Sequence, residues 1–596
     1  MVPGLSNFVN STWKKYKEDT NKLTTWVVLT AKGCDSSLTI FQDSPGKGPR
    51  LKGKARKLAK LAAVDDPKAA SIPVARLNQL ASVIVKSTTP IVQVPRAIVQ
   101  AGIRAISLRK RFAVHFQENA NYHPDVLRSN ERHNHIISVL EKLLKTLEPR
   151  FQRRNDTQDS LDAEVENFSN KFAALNVEDT EDEDLPGEKL AVSEKAVIFS
   201  TKYELEVPKD DVKINTLFAI FCLFDDLLQL RLFLKELWEV YQDGSVTLIA
   251  AATITNTAFE LAAKLEGELL AEFPSIKSNE DIFNGMYRYL LGDPDLSDEE
   301  CSKAEGATVG LESIYRVPHL RLSEYMKEYH MQDNPGFLFF EKHREHVKYK
   351  PNSDRTKMNF DDRDTEDLQI LMELLPECEL MTRFFPREDP VLAEDELTRG
   401  LCQMMKTGVV PLWLAFATQV YLDIHHTMRS DVGRGLADLQ AIASKFKNIL
   451  DSYDEFALEY PPLRSEQLED DRIAKILETI DHVIQQDLLG DFKKYLLSTK
   501  GAPKHLDPSK KPFQLLARHP LLCGVLAFSL ILNMREAGLA LINETGSILN
   551  TAHLYNALKA NNPDMEEWNA MEEALFVHGP ENIFLGSPPT TPEAFY

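Results

Sequence analysis

The chain lacks the arrangements that would name a chemistry. Its six cysteines are Cys34, Cys222, Cys301, Cys378, Cys402 and Cys523, and the closest two are 24 positions apart. No CxxC or CxxxC pair exists, which excludes zinc-finger spacing and a disulfide framework. Isolated thiols fit a reducing compartment and are usually buried. GxSxG is absent, so the nucleophile elbow of an α/β-hydrolase is missing. HExxH is absent as well. His343-Arg-Glu345-His346 sets two histidines at i and i+3 and reads as a charged helix face. Long apolar runs are also wanting. Val246–Ala263 is broken by threonines, Asn256 and Glu260; Gly408–Ile424 by Pro411, Gln419 and Asp423; Leu521–Leu532 has 12 residues. A spanning helix needs about 20 predominantly apolar residues, so all three are expected as core helices. Lys14, Lys15 and Lys17 precede any apolar run, unlike a secretory signal. The expected location is cytoplasmic or nuclear.

Two near-matches fail on one residue each. Gly48-Pro-Arg-Leu-Lys-Gly53-Lys54-Ala55 fits a GxxxxGK phosphate loop, but Ala55 stands where Ser or Thr must reach Mg²⁺. Asp225-Asp226-Leu-Leu-Gln229 resembles the aspartate-rich motif that holds Mg²⁺ against a diphosphate, with Gln229 in place of the third acid. No cofactor and no metal set is expected from spacing.

What is present is helical patterning. The chain has 596 residues, 43% apolar and 27% charged, an ordinary globular balance. Apolar residues recur at helical spacing through most of it. Helices are expected over about 5–19, 20–32, 51–64, 74–87, 96–116 and 130–147. The last has Ile136, Leu140, Leu143 and Leu147 on one face. Further helices are expected over 217–241, 245–273, 411–429, 436–453 and 520–544. Asn352–Asp367 and Gly501–Pro512 read as polar loops. The fold class is therefore all-α, an irregular multi-helix N-terminal domain and a larger helical body. No period of 20 to 50 residues supports a solenoid.

Charge divides the chain. Residues 1–150 hold 25 Lys+Arg and 11 Asp+Glu, net +14; the rest hold 44 and 79, net −35. Expected boundaries are a basic domain 1–148, an acidic linker 149–188, an acidic body 189–585 and an irregular tail 586–596. The linker contains one amphipathic stripe, Leu161, Val165, Phe168, Phe172 and Leu175, then six acids between Glu178 and Asp184. The densest basic run is Lys47, Arg50, Lys52, Lys54, Arg56, Lys57 and Lys60. A solvated helix face is the plain reading. The functional readings are an acidic protein partner, the chain's own 178–184 segment, or nucleic acid or an anionic membrane surface.

Asp423, His425 and His426 are the candidate acid–base or metal-assisted residues. Asp423 and His426, three apart on a helix, share a face, so the carboxylate can orient the ring. His425 points about 100° away and is not expected in the same site.

Several blocks carry a resemblance: Tyr16-Lys-x-Asp19-Thr20, Thr25-Trp26, Ala31-Lys32-x-Cys34, Arg50-Leu-Lys-Gly-Lys-Ala-Arg-Lys57 and Thr255-Asn-Thr-Ala258. Leu422-Asp-Ile-His-His426, Pro520-Leu-Leu-Cys-Gly524 and Thr551-Ala-His-Leu-Tyr-Asn556 extend it. Together they resemble a family of uncharacterised fungal proteins with an N-terminal domain of unknown function. The resemblance implies a fungal source and no activity. The leading functional expectation is a non-enzymatic interaction or regulatory protein with a basic N-terminal docking surface. An enzyme using Asp423 and His426, or nucleic-acid binding through the basic domain, are the alternatives.

Overall fold

A computed structural model describes residues 10–35, 70–119, 124–151, 203–206, 212–291, 295–305, 314–330, 352–384, 394–459 and 515–536, with scattered further positions up to 575. The basic run 47–60, the acidic segment 178–184, the loop 501–512 and His343-Arg-Glu345-His346 lie outside the described residues. The fold is all-α apart from two four-residue strands, with neither a solenoid nor a closed sheet among the described residues. The chain separates into two compact units. One spans Lys14–Asn215 with Leu291–Asp293; the other holds Met1–Trp13, Thr216–Leu290 and Pro294–Tyr596.

The first unit is built on α1 (Thr12–Cys34), α2 (Val74–Lys86), α3 (Arg96–Asn119) and α4 (Pro124–Leu147). The sequence suggests two helices up to Lys32, with Asp19-Thr20 as the break, but α1 is continuous. Thr20 Oγ1 bonds back to the Tyr16 carbonyl at 2.9 Å, and Asp19 accepts from Arg104 Nε at 2.9 Å and Nη2 at 2.7 Å. Their polar groups are satisfied without ending the helix. Leu77, Leu80 and Ile84 of α2 and Leu140, Leu143 and Leu147 of α4 join Leu23 and Val27 of α1 in one core. β1 (Ala70–Pro73) and β2 (Tyr203–Glu206) pair in parallel, Ala70 opposite Tyr203 and Pro73 opposite Glu206. Ile72 and Tyr203 anchor this ladder in the core.

The second unit contains α5 (Val212–Gln242, from Thr216 onward), α6 (Leu248–Glu272), α7 (Asn279–Leu291), α8 (Asp298–Glu305), α9 (Arg316–His330), α10 (Phe360–Phe384), α11 (Glu396–Thr407), α12 (Leu412–Met428), α13 (Arg434–Glu459) and α14 (Pro520–Glu536). α6 is buried along most of its length, and many of its buried residues are small or bonded back to their own helix. Ala251, Ala252, Ala258 and Ala262 admit close neighbours. Thr253, Thr255 and Thr257 bond back to carbonyls one turn earlier at 2.7–2.8 Å, so their hydroxyls tolerate burial. Trp238 Nε1 of α5 donates to Thr255 Oγ1 at 2.9 Å. The polar stretch that reads as a loop to Asp367 turns helical at Phe360. Asp364, Glu366 and Asp367 in its first turns meet arginines, while Asp361 and Asp362 face solvent, so no apolar stripe announces it. No described helix is long and apolar enough to cross a membrane.

Candidate functional site

Asp423 and His426 leave α12 on one face, with His426 Nδ1 3.8 Å from Asp423 Oδ1. Each is bound to a different partner. Asp423 receives a two-pronged bond from Arg231 of α5, Nε to Oδ2 at 2.6 Å and Nη2 to Oδ1 at 2.8 Å. Gln419, one turn earlier, adds a bond to Oδ1 at 3.1 Å. His426 Nε2 lies 2.6 Å from Asp367 Oδ1 on α10. Arg355, on the single turn Arg355–Lys357 ahead of α10, then donates to Glu366 Oε2 at 2.7 Å and to Asp367 Oδ2 at 2.8 Å. Arg429, just past α12, donates to Glu366 Oε1 at 2.9 Å and to the Ser353 carbonyl at 2.8 Å. The result is a chain of three carboxylates, three guanidiniums and one imidazole.

The formal charges balance, which is what lets the group sit at 5–20% side-chain exposure. Two residues beside it hold left-handed backbone without being glycine, Tyr315 at φ 61° and Arg429 at φ 51°. Tyr315 is fully buried between the rings of Phe224 and Phe416, and its ring lies 5.9 Å from the Arg231 guanidinium. Desolvation pushes its phenol up beyond the usual tyrosine range. A shallow surface dip, without room for a buried ligand, lies on the Asp423 side, lined by Arg231, Lys235, Trp238, Asp423 and Thr427 among others. Chemically, the arrangement holds a ring and its carboxylates in fixed orientation. Glu366, Asp367 and His426 each offer a ligand atom, and these atoms lie within 4.8 Å of one another.

His425 turns away, as its position on the helix requires. It is 1% exposed and its Nε2 lies 2.8 Å from the Arg518 carbonyl. Desolvation drives its pKa down to about 3, so the ring is neutral at physiological pH. Asp226 of the near-match on α5 serves the fold instead. It caps α1, accepting from the Thr12 amide at 2.8 Å and from the Thr12 hydroxyl. Sequence reasoning missed Arg231, Arg355, Glu366, Asp367 and Arg429. Arg231 lies 192 positions from Asp423 and Asp367 lies 59 from His426; Arg355, Glu366 and Asp367 sit in a stretch that reads as loop; Arg429 closes the helix expected over 411–429, but its partner Glu366 is 63 positions away.

Residues 14–271 match a family of unknown function (DUF6604). The matched stretch takes in α1 through α6 up to Ala271, with Thr255-Asn-Thr-Ala258 inside it. The blocks at Leu422–His426, Pro520–Gly524 and Thr551–Asn556 fall beyond it. A search of curated proteins and a search of solved structures each found no match.

Proposed function

We propose that this chain is a non-enzymatic intracellular interaction or regulatory protein. Its basic segment, Lys47 to Lys60, docks on an acidic polypeptide surface, and its own acidic segment, 178–184, competes for that segment. One observation carries the reading: β1 and β2 run in parallel, side by side. The basic segment leads into β1 and the acidic segment leads into β2. Parallel strands lie about 4.8 Å apart and are entered from the same end. Lys60 precedes Ala70 by ten positions and Asp184 precedes Tyr203 by nineteen. At about 3.3 Å per residue both segments have the reach to meet. A tether of such length raises effective concentration to roughly the millimolar range.

The enzyme alternative finds less support. Both oxygens of Asp423 are held by Arg231, and His426 is turned onto Asp367. Both side chains are thus engaged in the ion-pair network.

The test is charge reversal at Lys52, Arg56 and Lys60 to glutamate in the full chain. The probe is poly-glutamate, titrated from low to high salt. The reading expects salt-dependent binding by the natural chain and its loss in the variant. Equal binding by both, or preference for duplex DNA over poly-glutamate, overturns it.

A further inference from the structure

We propose that Glu366, Asp367 and His426 form a site for a divalent transition cation, Zn²⁺ foremost, that the guanidinium of Arg355 fills in the metal's absence. The donor set is one imidazole nitrogen and two carboxylates, with ligand atoms within 4.8 Å of one another. Zinc takes such mixed nitrogen and oxygen ligands at about 2.0–2.2 Å. Two ligands stand at the start of α10 and the third near the end of α12, helices fixed by buried Ile370, Leu371 and Leu374 and by Val420, Leu422 and Ile424.

The ring orientation shows which nitrogen would ligate. His426 presents Nε2 to Asp367, while Nδ1 faces Asp423. A metal on Nε2 would displace the proton that now bonds Asp367 and move it to Nδ1, on the side of Asp423, which lies 3.8 Å away. Asp423 is itself immobilised by Arg231, so it acts as a positioning residue.

Arg355 occupies the place of the cation. Its two amino groups bridge Glu366 Oε2 and Asp367 Oδ2, one oxygen from each prospective ligand. It is carried on a three-residue turn rather than on a core helix. Its withdrawal frees both oxygens, while Arg429 continues to hold Glu366 Oε1. The exchange replaces one positive charge by two, so that with Arg231 and Arg429 the three carboxylates carry one positive charge in excess.

The experiment is calorimetric titration of the full chain with Zn²⁺ alone, beside His426→Gln and Arg355→Gln. The proposal expects one Zn²⁺ site that disappears in His426→Gln. In Arg355→Gln, with the internal competitor gone, the same site binds about tenfold tighter. A merely structural salt bridge gives no such gain. A natural chain and His426→Gln with identical titrations overturn the proposal, as does an Arg355→Gln chain that binds no tighter. If His426→Gln loses its helical circular dichroism, Asp367→Asn takes its place under the same criteria. Poly-glutamate binding is read separately, so failure here leaves the docking reading intact.

Discussion

His519 and Asp395 meet in the core, Nε2 to Oδ2 at 3.4 Å, and neither exposes any side-chain surface. Each caps a helix. Asp395 Oδ1 accepts from the Thr398 amide at 3.1 Å at the start of α11. His519 Nδ1 accepts from the Leu522 amide at 3.2 Å at the start of α14. With Nδ1 accepting, the proton of a neutral ring belongs on Nε2, facing Thr398 Oγ1 at 3.2 Å and Asp395. The pair therefore joins two helix N-termini by one hydrogen-bonded contact.

Replacing His519 by alanine removes a cap, leaves Asp395 short of a donor and opens a cavity. These effects sum to roughly 3 kcal/mol lost. Urea unfolding of the full chain checks it; a variant within about 0.5 kcal/mol of the natural chain contradicts the double-cap role.

Burial also makes these rings acid-sensitive. Desolvation pushes His425 down to about 3 and pushes His519 down as well. Unfolded, both titrate near 6.5. The neutral ring is the folded form, so each contribution is whole above about 6.5 and is lost as pH falls below it, for His425 down toward 3. Thermal midpoints measured from pH 8 to pH 5 should fall most steeply below about 6.5, and less so in His425→Gln.

Glu266 acts with the opposite sign. Burial raises its pKa to about 7, against the pull of the Leu412 and Trp413 amides that it accepts at 3.0 and 2.7 Å. A raised folded pKa favours the protonated carboxyl. Its contribution is whole below about 4.5 and is lost as pH rises through 7. The stability difference between Glu266→Gln and the natural chain should therefore shift in favour of glutamine by about 2–3 kcal/mol from pH 4.5 to pH 8. A constant difference across that range contradicts it.

Gly524 marks a close crossing of α14 and α6. A Cβ there would stand 2.2 Å from Ala252 Cβ and 2.8 Å from the Leu248 carbonyl oxygen. Gly524→Ala must separate α14 from α6, at a cost of about 3 kcal/mol. Gly267, on α6 with nothing within 4 Å, is the control. There alanine should stabilise by about 0.5–1 kcal/mol. Denaturant midpoints that move alike in both variants contradict this crossing.

Helices with apolar or small-residue faces are legible in the sequence. Leu77, Leu80 and Ile84, or Leu140, Leu143 and Leu147, announce their buried side by spacing alone. The strands are not: Ala70–Pro73 contains a proline and Tyr203–Glu206 shows only two alternations. Their pairing spans 133 positions, from Ala70 to Tyr203. Helix α10 is hidden for another reason. Its first turns carry Asp361, Asp362, Asp364, Glu366 and Asp367, a composition that reads as solvated loop. It is helical because Arg321, Arg355 and Arg429 receive several of those acids. The Asp423–His426 face follows from helical spacing; Arg231 and Arg355 come from distant segments, and the acid that Arg429 meets, Glu366, is 63 positions away, which no local pattern records.

Zero-length carbodiimide cross-linking of the full chain, read by mass spectrometry, probes the meeting of the two charged segments itself. Amide links between lysines of 47–60 and carboxylates of 178–184 are expected at low salt. They should vanish near 1 M salt, where the screening length is about 3 Å. No link at low salt, or links that persist undiminished at high salt, would rule out the pairing of these two segments.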